Sequence, residues 1–197
     1  MFTGIVEELG RVVAVEPLEN AARFRIRGAL VTSDAVHGAS IAVNGVCLTV
    51  VSHADGEFTA DVMQETLDRS CLGALGANSP VNLERPVTLA ARLGGHLVQG
   101  HVDGTGEILE RIPSQHWEVL RISLPGDLGR YVVEKGSITV DGVSLTVVDA
   151  HRDSFTVSLI PTTLELTTLG SKKIGDPVNL EVDVVAKYVE RMMQWRN

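Results

Sequence analysis

The sequence predicts an all-β fold, two homologous six-stranded antiparallel barrels in tandem followed by a short C-terminal helix. Three observations carry this. First, shifting the chain by 97 residues lays 39–51 (ASIAVNGVCLTVV) on 136–148 (GSITVDGVSLTVV) with nine of thirteen positions identical; Asn44 then meets Asp141 and Cys47 meets Ser144. The same register superimposes Phe58-Thr59 on Phe155-Thr156, Thr66-Leu67 on Thr163-Leu164, and the run Pro80-Val81-Asn82-Leu83-Glu84 on Pro177-Val178-Asn179-Leu180-Glu181. A one-residue gap upstream moves the offset to 96, where Gly4-Ile5-Val6 meets Gly100-His101-Val102. A period of this size is a duplicated domain rather than a solenoid repeat. Second, each half is a series of short apolar alternations broken by Gly, Asn, Asp and Pro, the pattern of antiparallel strands and turns. Third, that pattern stops near residue 184 and gives way to a helical spacing.

Taken in order, the first half predicts strands near 2–15, 22–28, 39–44, 46–53, 57–63 and 80–86, and the second near 98–112, 116–124, 136–141, 143–150, 154–160 and 177–183. Asn44-Gly45 and Asp141-Gly142 are type I′ hairpin signals, because both central residues of that turn take positive φ. Residues 64–72 and 161–169 have helix-like leucine spacing and read as short crossing helices. Six short strands in under 90 residues close into a barrel, which removes exposed edges. The expected divisions are therefore 1–90 for the first barrel, 91–183 for the second, with residues 85–98 joining them, and 184–197 for the helix. In that helix Val185, Tyr188, Met192 and Trp195 form one apolar stripe opposite Lys187, Glu190, Arg191 and Gln194. A helix this short is marginal alone. It packs either on its own barrel or on copies of itself.

Composition narrows the function. The chain has 197 residues, 44% hydrophobic and 21% charged, with mean hydropathy +0.15, which supports a buried core. Its net charge of −8 and its eight aromatic residues (Phe 4, Trp 2, Tyr 2) argue against nucleic acid, including a pair of oligonucleotide-binding barrels. No apolar run approaches the roughly 18 residues of a membrane span, and the opening Met1-Phe2-Thr3-Gly4-Ile5-Val6-Glu7-Glu8 has no signal-peptide character. Two cysteines alone make neither a disulfide framework nor a zinc site and suit a reducing, cytoplasmic setting.

Candidate chemistry lies in three places. Residues 93–103 (LGGHLVQGHVD) hold His96 and His101, five apart and so on opposite faces of a strand; the open roles are structural hydrogen bonding, acid/base work or, least supported, metal binding. Cys47 and Thr49, like Ser144 and Thr146, share one strand face and suit a pocket that hydrogen-bonds a polar ligand; a thiolate nucleophile is disfavoured because the duplicate carries Ser. Cys71, facing Thr168, reads as structural. Gly104-Thr105-Gly106 lacks the third glycine of a phosphate loop, and Ser171-Lys172-Lys173 reads as a solvated basic patch.

These segments together resemble the riboflavin synthase family of the alpha type. The carriers are the opening 1–6, Asn44-Gly45-Val46-Cys47-Leu48-Thr49-Val50, Gly94-Gly95-His96-Leu97-Val98-Gln99-Gly100-His101, Asp141-Gly142-Val143-Ser144-Leu145-Thr146, and Leu159-Ile160-Pro161-Thr162-Thr163-Leu164 with Thr167-Thr168-Leu169-Gly170. The resemblance spans the chain. It implies two Greek-key barrels, each binding one 6,7-dimethyl-8-ribityllumazine, and a homotrimer associated through the C-terminal helix. It also implies catalysis where the N-terminal barrel of one chain faces the C-terminal barrel of another. The implied reaction is a dismutation. One lumazine gives a four-carbon unit to the other, producing riboflavin and 5-amino-6-(ribitylamino)uracil with no cofactor and no metal; lumazine synthase is an implied possible partner. The tail after the helix is shorter than in many relatives.

By motif match the resemblance puts Thr3, Gly4, Ile5, Val6, Ser40, Cys47, Leu48, Thr49, Asp61, Val62, Met63, Gln64, Glu65 and Thr66 in the N-barrel site. It puts Gly100, His101, Val102, Lys135, Ser144, Leu145, Thr146, Ser158, Leu159, Ile160, Pro161, Thr162 and Thr163 in the C-barrel site, with His96 nearby. Phe2, Cys47, His101, Ser144, Thr146 and Asp183 are the expected catalytic set. In it His101 with Thr146 assists proton transfer, Ser144 and Asp183 serve the nucleophile, and Cys47 with Thr49 orients substrate. The competing reading is a lumazine protein, a non-catalytic chromophore carrier of the same fold. Such carriers erode one site, whereas both halves here keep Gly-x-Val, Cys/Ser-Leu-Thr and Thr-Leu.

Overall fold

The computed structural model describes residues 1–195. The first barrel is built from β1 (Glu8–Leu18), β2 (Ala21–Arg27), β3 (Ser40–Val43), β4 (Val46–Ala54), β5 (Glu57–Met63) and β6 (Pro80–Glu84), closed in the order β1-β2-β5-β4-β3-β6. The second repeats it with β7 (Gly104–Pro113), β8 (Glu118–Ser123), β9 (Ser137–Val140), β10 (Val143–Ala150), β11 (Ser154–Leu159) and β12 (Pro177–Val182), closed in the equivalent order. All pairings are antiparallel, and the first strand of each barrel shifts register at the same place, between Val12 and Ala14 and between Ile108 and Glu110. Inward alternation fills each barrel: Phe24, Ile26, Phe58 and Leu83 in the first, Ile108, Ile122, Phe155 and Leu180 in the second, all essentially without exposure. Each such side chain contributes about 1.5–3 kcal/mol by leaving water.

The helical segments differ from expectation in one detail. Residues 64–72 form α1 (Gln64–Arg69) and then a separate 3-10 turn, Cys71–Ala74; residues 161–169 likewise form α2 (Pro161–Leu166) and the turn Thr168–Gly170. The break has one cause in both halves. Ser70 and Thr167 are extended, and each side-chain oxygen accepts the backbone N–H two residues on, restarting the chain as a capped turn.

Two predicted strands begin later than expected. Residues 2–7 and 98–103 lie outside the barrels apart from one bridge, in which Phe2 N–H donates to the Val98 carbonyl at 2.7 Å. Gly4 (φ +76) and Gly100 (φ +79) turn the chain away from strand geometry. Each segment then crosses to the other barrel. Val6 packs on the second core and Val102 on the first; Ser144 N–H donates to the Gly4 carbonyl at 2.7 Å and Cys47 N–H to the Gly100 carbonyl at 2.9 Å.

The barrels meet around a pseudo-twofold. Both hairpins take positive φ at their central pairs, as predicted, and a Cβ on either Gly45 or Gly142 would stand 2.7 Å from the backbone nitrogen of the other. Asn82 Nδ2 donates to the Asp141 carbonyl at 2.8 Å, and Asn179 Nδ2 to the Asn44 carbonyl at 2.9 Å. The amide oxygens accept from Thr168 N–H and Cys71 N–H. Cys71 is thus structural, as expected, and its buried thiol is pushed up to about 12. Lys172 corrects the sequence reading: it is not a solvated patch but reaches the fully buried Asp141 carboxylate at 3.1 Å.

The last helix, α3 (Val184–Gln194), is capped by the Asp183 carboxylate, which accepts Val185 N–H at 2.9 Å. It docks by polar residues: Lys187 pairs with Asp103, and Glu190 with Arg130 and Tyr131. Its apolar stripe faces outward, with Tyr188, Met192 and Trp195 66–77% exposed. Residues 196–197 of the expected helical unit lie outside the described residues.

Candidate functional site

Each barrel presents one outward patch on the strand pair that carries the repeat motif. On the first, Ser40 and Thr49 are paired across β3 and β4, Cys47 is half-buried two positions along, and Asp61, Met63, Gln64, Glu65 and Thr66 follow on β5 and α1. On the second, Ser144 and Thr146 occupy the outward positions of β10, with Ser158, Ile160, Pro161, Thr162 and Thr163 on or after β11. Strand alternation puts Cys47 with Thr49, and Ser144 with Thr146, on one face; the residues of β5–α1 and β11–α2 join them through the resemblance. Alternation turns the side chains of Leu48, Val62 and Leu159 into the cores, where they are at most 5% exposed, so what these residues offer to the patches is backbone. Asp61 is also engaged, by two bonds of 2.6 and 2.9 Å from Arg23 that hold its carboxyl below the usual range. Lys135 is exposed and takes φ +63 where the first half has Gly38, so a long cationic side chain sits on a glycine-type backbone beside the second patch.

The crossed segments complete the patches in the opposite sense to the motif match. Gly4-Ile5 sits on Ser144, not on Cys47, and Gly100-His101 sits on Cys47, not on Ser144. The contacts allow no side chain at either glycine: a Cβ would lie 2.6 Å from Ser144 Cβ at Gly4 and 2.7 Å from Cys47 Cβ at Gly100. His101 therefore belongs to the first patch. Within the chain it makes no hydrogen bond to Thr146 among the described residues; its backbone N–H donates to Glu181.

Ser144 has a different histidine. His96 Nδ1 lies 2.7 Å from Ser144 Oγ, and its Nε2 lies 3.3 Å from Thr139 Oγ1. Burial pushes the imidazole below its ordinary value while the Asp183 charge pulls the other way, so near neutrality the ring is neutral, one nitrogen accepting and one donating. Such a pair can take a proton from the serine hydroxyl or pass one through it. Gly95 permits the approach, since a Cβ there would be 2.0 Å from the Thr3 carbonyl oxygen and 2.9 Å from Ser144 Oγ. His96 and His101 are not on a strand, so the opposite-face argument against their pairing does not apply; they are separated because the chain between them bridges the two patches. Phe2 is a further correction. It is fully buried against Ala42 and Val98, where it supports Cys47 from beneath rather than facing a ligand.

Sequence reasoning missed Glu84 and Glu181. Glu84 accepts from Thr3 N–H (2.7 Å), Thr3 Oγ1 (2.8 Å) and Gly4 N–H (3.0 Å); Glu181 accepts from the N–H groups of Gln99 (2.6 Å), Gly100 and His101 (both 2.9 Å). Both are buried, and burial raises their carboxyls above the ordinary value against those bonds. A cavity of about 560 Å³ opens between Thr3, Ile5, Ser40, Glu84 and Gly94, within the size range of small-molecule sites. Another, about 690 Å³, lies between α3 and Arg130-Tyr131 and touches none of the nominated residues.

Fold and paired patches define a tandem barrel protein with two candidate small-molecule sites, equivalent by the repeat. The comparisons give those sites a class: the family model described as a lumazine binding domain matches twice, over residues 3–86 and 99–183. The riboflavin synthase of Mycobacterium tuberculosis (strain H37Rv) is 68% identical over 98% of this chain and 98% of its own length. That of Actinobacillus pleuropneumoniae is 53% identical over 98% and 90%. Among solved structures, LumP complexed with riboflavin superimposes with TM-score 0.85 at 23% identity, covering 92% of this chain and 99% of that one, a likeness of fold. The chain belongs to the riboflavin synthase family, whose members are transferases.

Proposed function

We propose that each patch holds one 6,7-dimethyl-8-ribityllumazine, and that the two patches give their ligands different roles in the dismutation to riboflavin and 5-amino-6-(ribitylamino)uracil. Four carbons move from one lumazine to the other, and all atoms of two substrates reappear in two products, so no external oxidant or reductant is required. The observation that carries the reading is the pair of patches, equivalent by the repeat yet differently equipped: Cys47, Thr49 and His101 on one, Ser144, Thr146 and the buried His96 on the other. The chemistry needs removal of a proton from the 7-methyl group and addition at C7 of the donor. His96 with Ser144 suits the proton-handling part, and Asp183, which acts on His96 through its charge, tunes it. Cys47 and Thr49 orient the other lumazine. Thr146 and Lys135 serve the ligand on the second barrel.

The outward stripe of α3 supports a homotrimer in which the first-barrel patch of one chain faces the second-barrel patch of a neighbour. The working division follows as 1–90, 91–183 and 184–197, with the crossed segments exchanged between the first two. No helix among the described residues is long and apolar enough to cross a membrane, and the two free cysteines suit the cytoplasm.

Incubation with 6,7-dimethyl-8-ribityllumazine alone tests the function: the substrate should disappear with riboflavin formed at half its molar amount. A stable bound fluorescence without turnover would instead favour the chromophore carrier. Sedimentation analysis tests the assembly, with Tyr188→Glu and Met192→Glu together expected to yield monomer and abolish turnover. A monomer in the unaltered protein would remove the inter-chain site.

A further inference from the structure

The crossed segments raise a question that the patches alone do not answer. Residues 3–5 and 99–101 carry backbone next to the two sites, yet neither belongs to a strand ladder, so their N–H groups need acceptors elsewhere. Each finds one carboxylate. Glu84 ends β6 of the first barrel and holds Thr3 and Gly4, which sit on Ser144 of the second. Glu181, near the end of β12 of the second barrel, holds Gln99, Gly100 and His101, which sit on Cys47 of the first. A carboxylate accepting two or three N–H groups makes strong, directional, charge-assisted bonds.

We infer that Glu84 and Glu181 are positioning residues for the reaction, each acting on the site of the opposite barrel: Glu181 sets His101 over the Cys47 patch, and Glu84 sets Ile5 over the Ser144 patch. The inference rests on the reading of those patches as the two lumazine sites. It differs from a general structural role in having a crossed signature. Damage on the second barrel appears at the first site, and damage on the first barrel appears at the second.

Both glutamates are buried, and Glu84 stands beside Glu7 and Glu181 beside Asp103, so each carboxylate is kept in place against burial and a like charge. Replacing either by an apolar residue would leave two or three backbone N–H groups without their acceptor. Here the bonds go to backbone N–H groups of the segments beside the two patches, with Thr3 Oγ1 the one side-chain donor.

Cys47 provides a reporter for one site alone, because it is the half-buried thiol under Gly100 while Cys71 is buried and its thiol is raised to about 12. In Glu181→Gln the amide group replaces one acceptor oxygen with a donor. Amide hydrogen exchange at Gln99–His101 should then quicken at least tenfold, and the lumazine concentration that half-protects Cys47 from a thiol reagent should rise about tenfold, the scale of one lost charge-assisted bond. In Glu84→Gln, exchange should quicken at residues 3–5, Cys47 protection should stay within twofold, and kcat should fall. If a Gln variant does not fold, the Asp variant, one methylene shorter, should show the same crossed pattern more weakly. Equal loss of Cys47 protection in both variants, or fast exchange spread over both barrels, would overturn the inference. Failure of lumazine to protect Cys47 in the unaltered protein would instead defeat the site reading, and the crossed exchange pattern still decides whether the two glutamates set these segments.

Discussion

Gly100→Ala separates backbone strain from contact at the first site. Gly100 has φ +79 and a carbonyl bonded to Cys47 N–H. An alanine there faces two penalties. Holding an L-residue in the left-handed region costs about 1–2 kcal/mol. Its Cβ would also stand 2.7 Å from Cys47 Cβ, 3.0 Å from Cys47 N and 3.1 Å from Phe2 Cε2, two of which are rigid; overpacking of this kind costs about 1–3 kcal/mol. The sum is roughly 2–5 kcal/mol. Gly38 is the control, because its φ is +84 but nothing lies within 4 Å of its Cβ position. Gly38→Ala should therefore lose only the first part, about 1 kcal/mol. Urea denaturation at matched protein concentration gives both values, and their difference is the contact contribution. The segment has an alternative to unfolding: it can lift away from Cys47, which spares stability and spoils the site. Lumazine turnover must be measured alongside. Cys47→Gly in the Gly100→Ala background removes the Cβ–Cβ conflict and, compared with Cys47→Gly alone, should restore part of the lost stability. A Gly100→Ala protein as stable as Gly38→Ala and equally active would refute the reasoning.

Three further outcomes follow from other parts of the molecule. Lys172→Met leaves the fully buried Asp141 without its cation and should destabilise by about 2–3 kcal/mol, less than a completely buried pair because Lys172 is 18% exposed; Asp141→Asn, which copies Asn44, should restore most of it in a thermal or urea comparison. Glu84 and Glu181 have native values raised by burial, so the native state binds protons more readily and their contribution to stability grows as pH falls from those values toward about 4.3. The corresponding Gln variants, in urea titrations between pH 7 and 5, should lack that gain; an unchanged slope would show that the carboxyls titrate normally. His96→Gln keeps a hydrogen bond to Ser144 but cannot relay a proton, and should lower kcat about 10²-fold or more with little change in KM; a loss confined to KM would make His96 a binding residue.

Much of the architecture was legible because duplication states every weak signal twice. A single Asn-Gly is a turn preference; Asn44-Gly45 and Asp141-Gly142 at matching positions are a shared hairpin, and both take positive φ. Equivalence, however, carries no information about partners. The match of Gly4-Ile5-Val6 to Gly100-His101-Val102 correctly pairs the segments, and nothing in it says that each lies on the other barrel. The run Pro-Val-Asn-Leu-Glu fails for a related reason. Its alternation puts Asn82 and Glu84 on the outward face, where polar residues ordinarily meet water, but that face is covered by the other barrel and both residues are buried. An outward Asn and Glu conserved between the two halves of one chain was the available signal. Lys172 and Phe2 were misread because a loop lysine and an N-terminal phenylalanine take their roles from tertiary neighbours, Asp141 in one case and Ala42 with Val98 in the other.

The same comparison of halves explains how one duplicated scaffold can treat two identical molecules differently. The barrels supply equal frames: the same strand order, the same glycine under each crossed segment, the same carboxylate holding it. Around the patches the halves diverge at Cys47 against Ser144, Ile5 against His101, Gly38 against Lys135, and throughout 61–65 against 158–162, while Thr49 with Thr146 and Thr66 with Thr163 are kept. His96 differs in kind, because it lies in the connection between the barrels and outside both barrels' strands. That connection exists once per chain. Its route from β6 to the crossed segment at Gly100 passes Thr3, to whose carbonyl His96 N–H donates at 3.1 Å, and delivers the imidazole to Ser144. Beside Cys47 the chain packs Phe2 instead. On the proposed reading, the proton-handling pair then belongs to the second barrel because the linker delivers His96 to Ser144, and the two lumazines are distinguished by what that linker brings to one patch and not to the other.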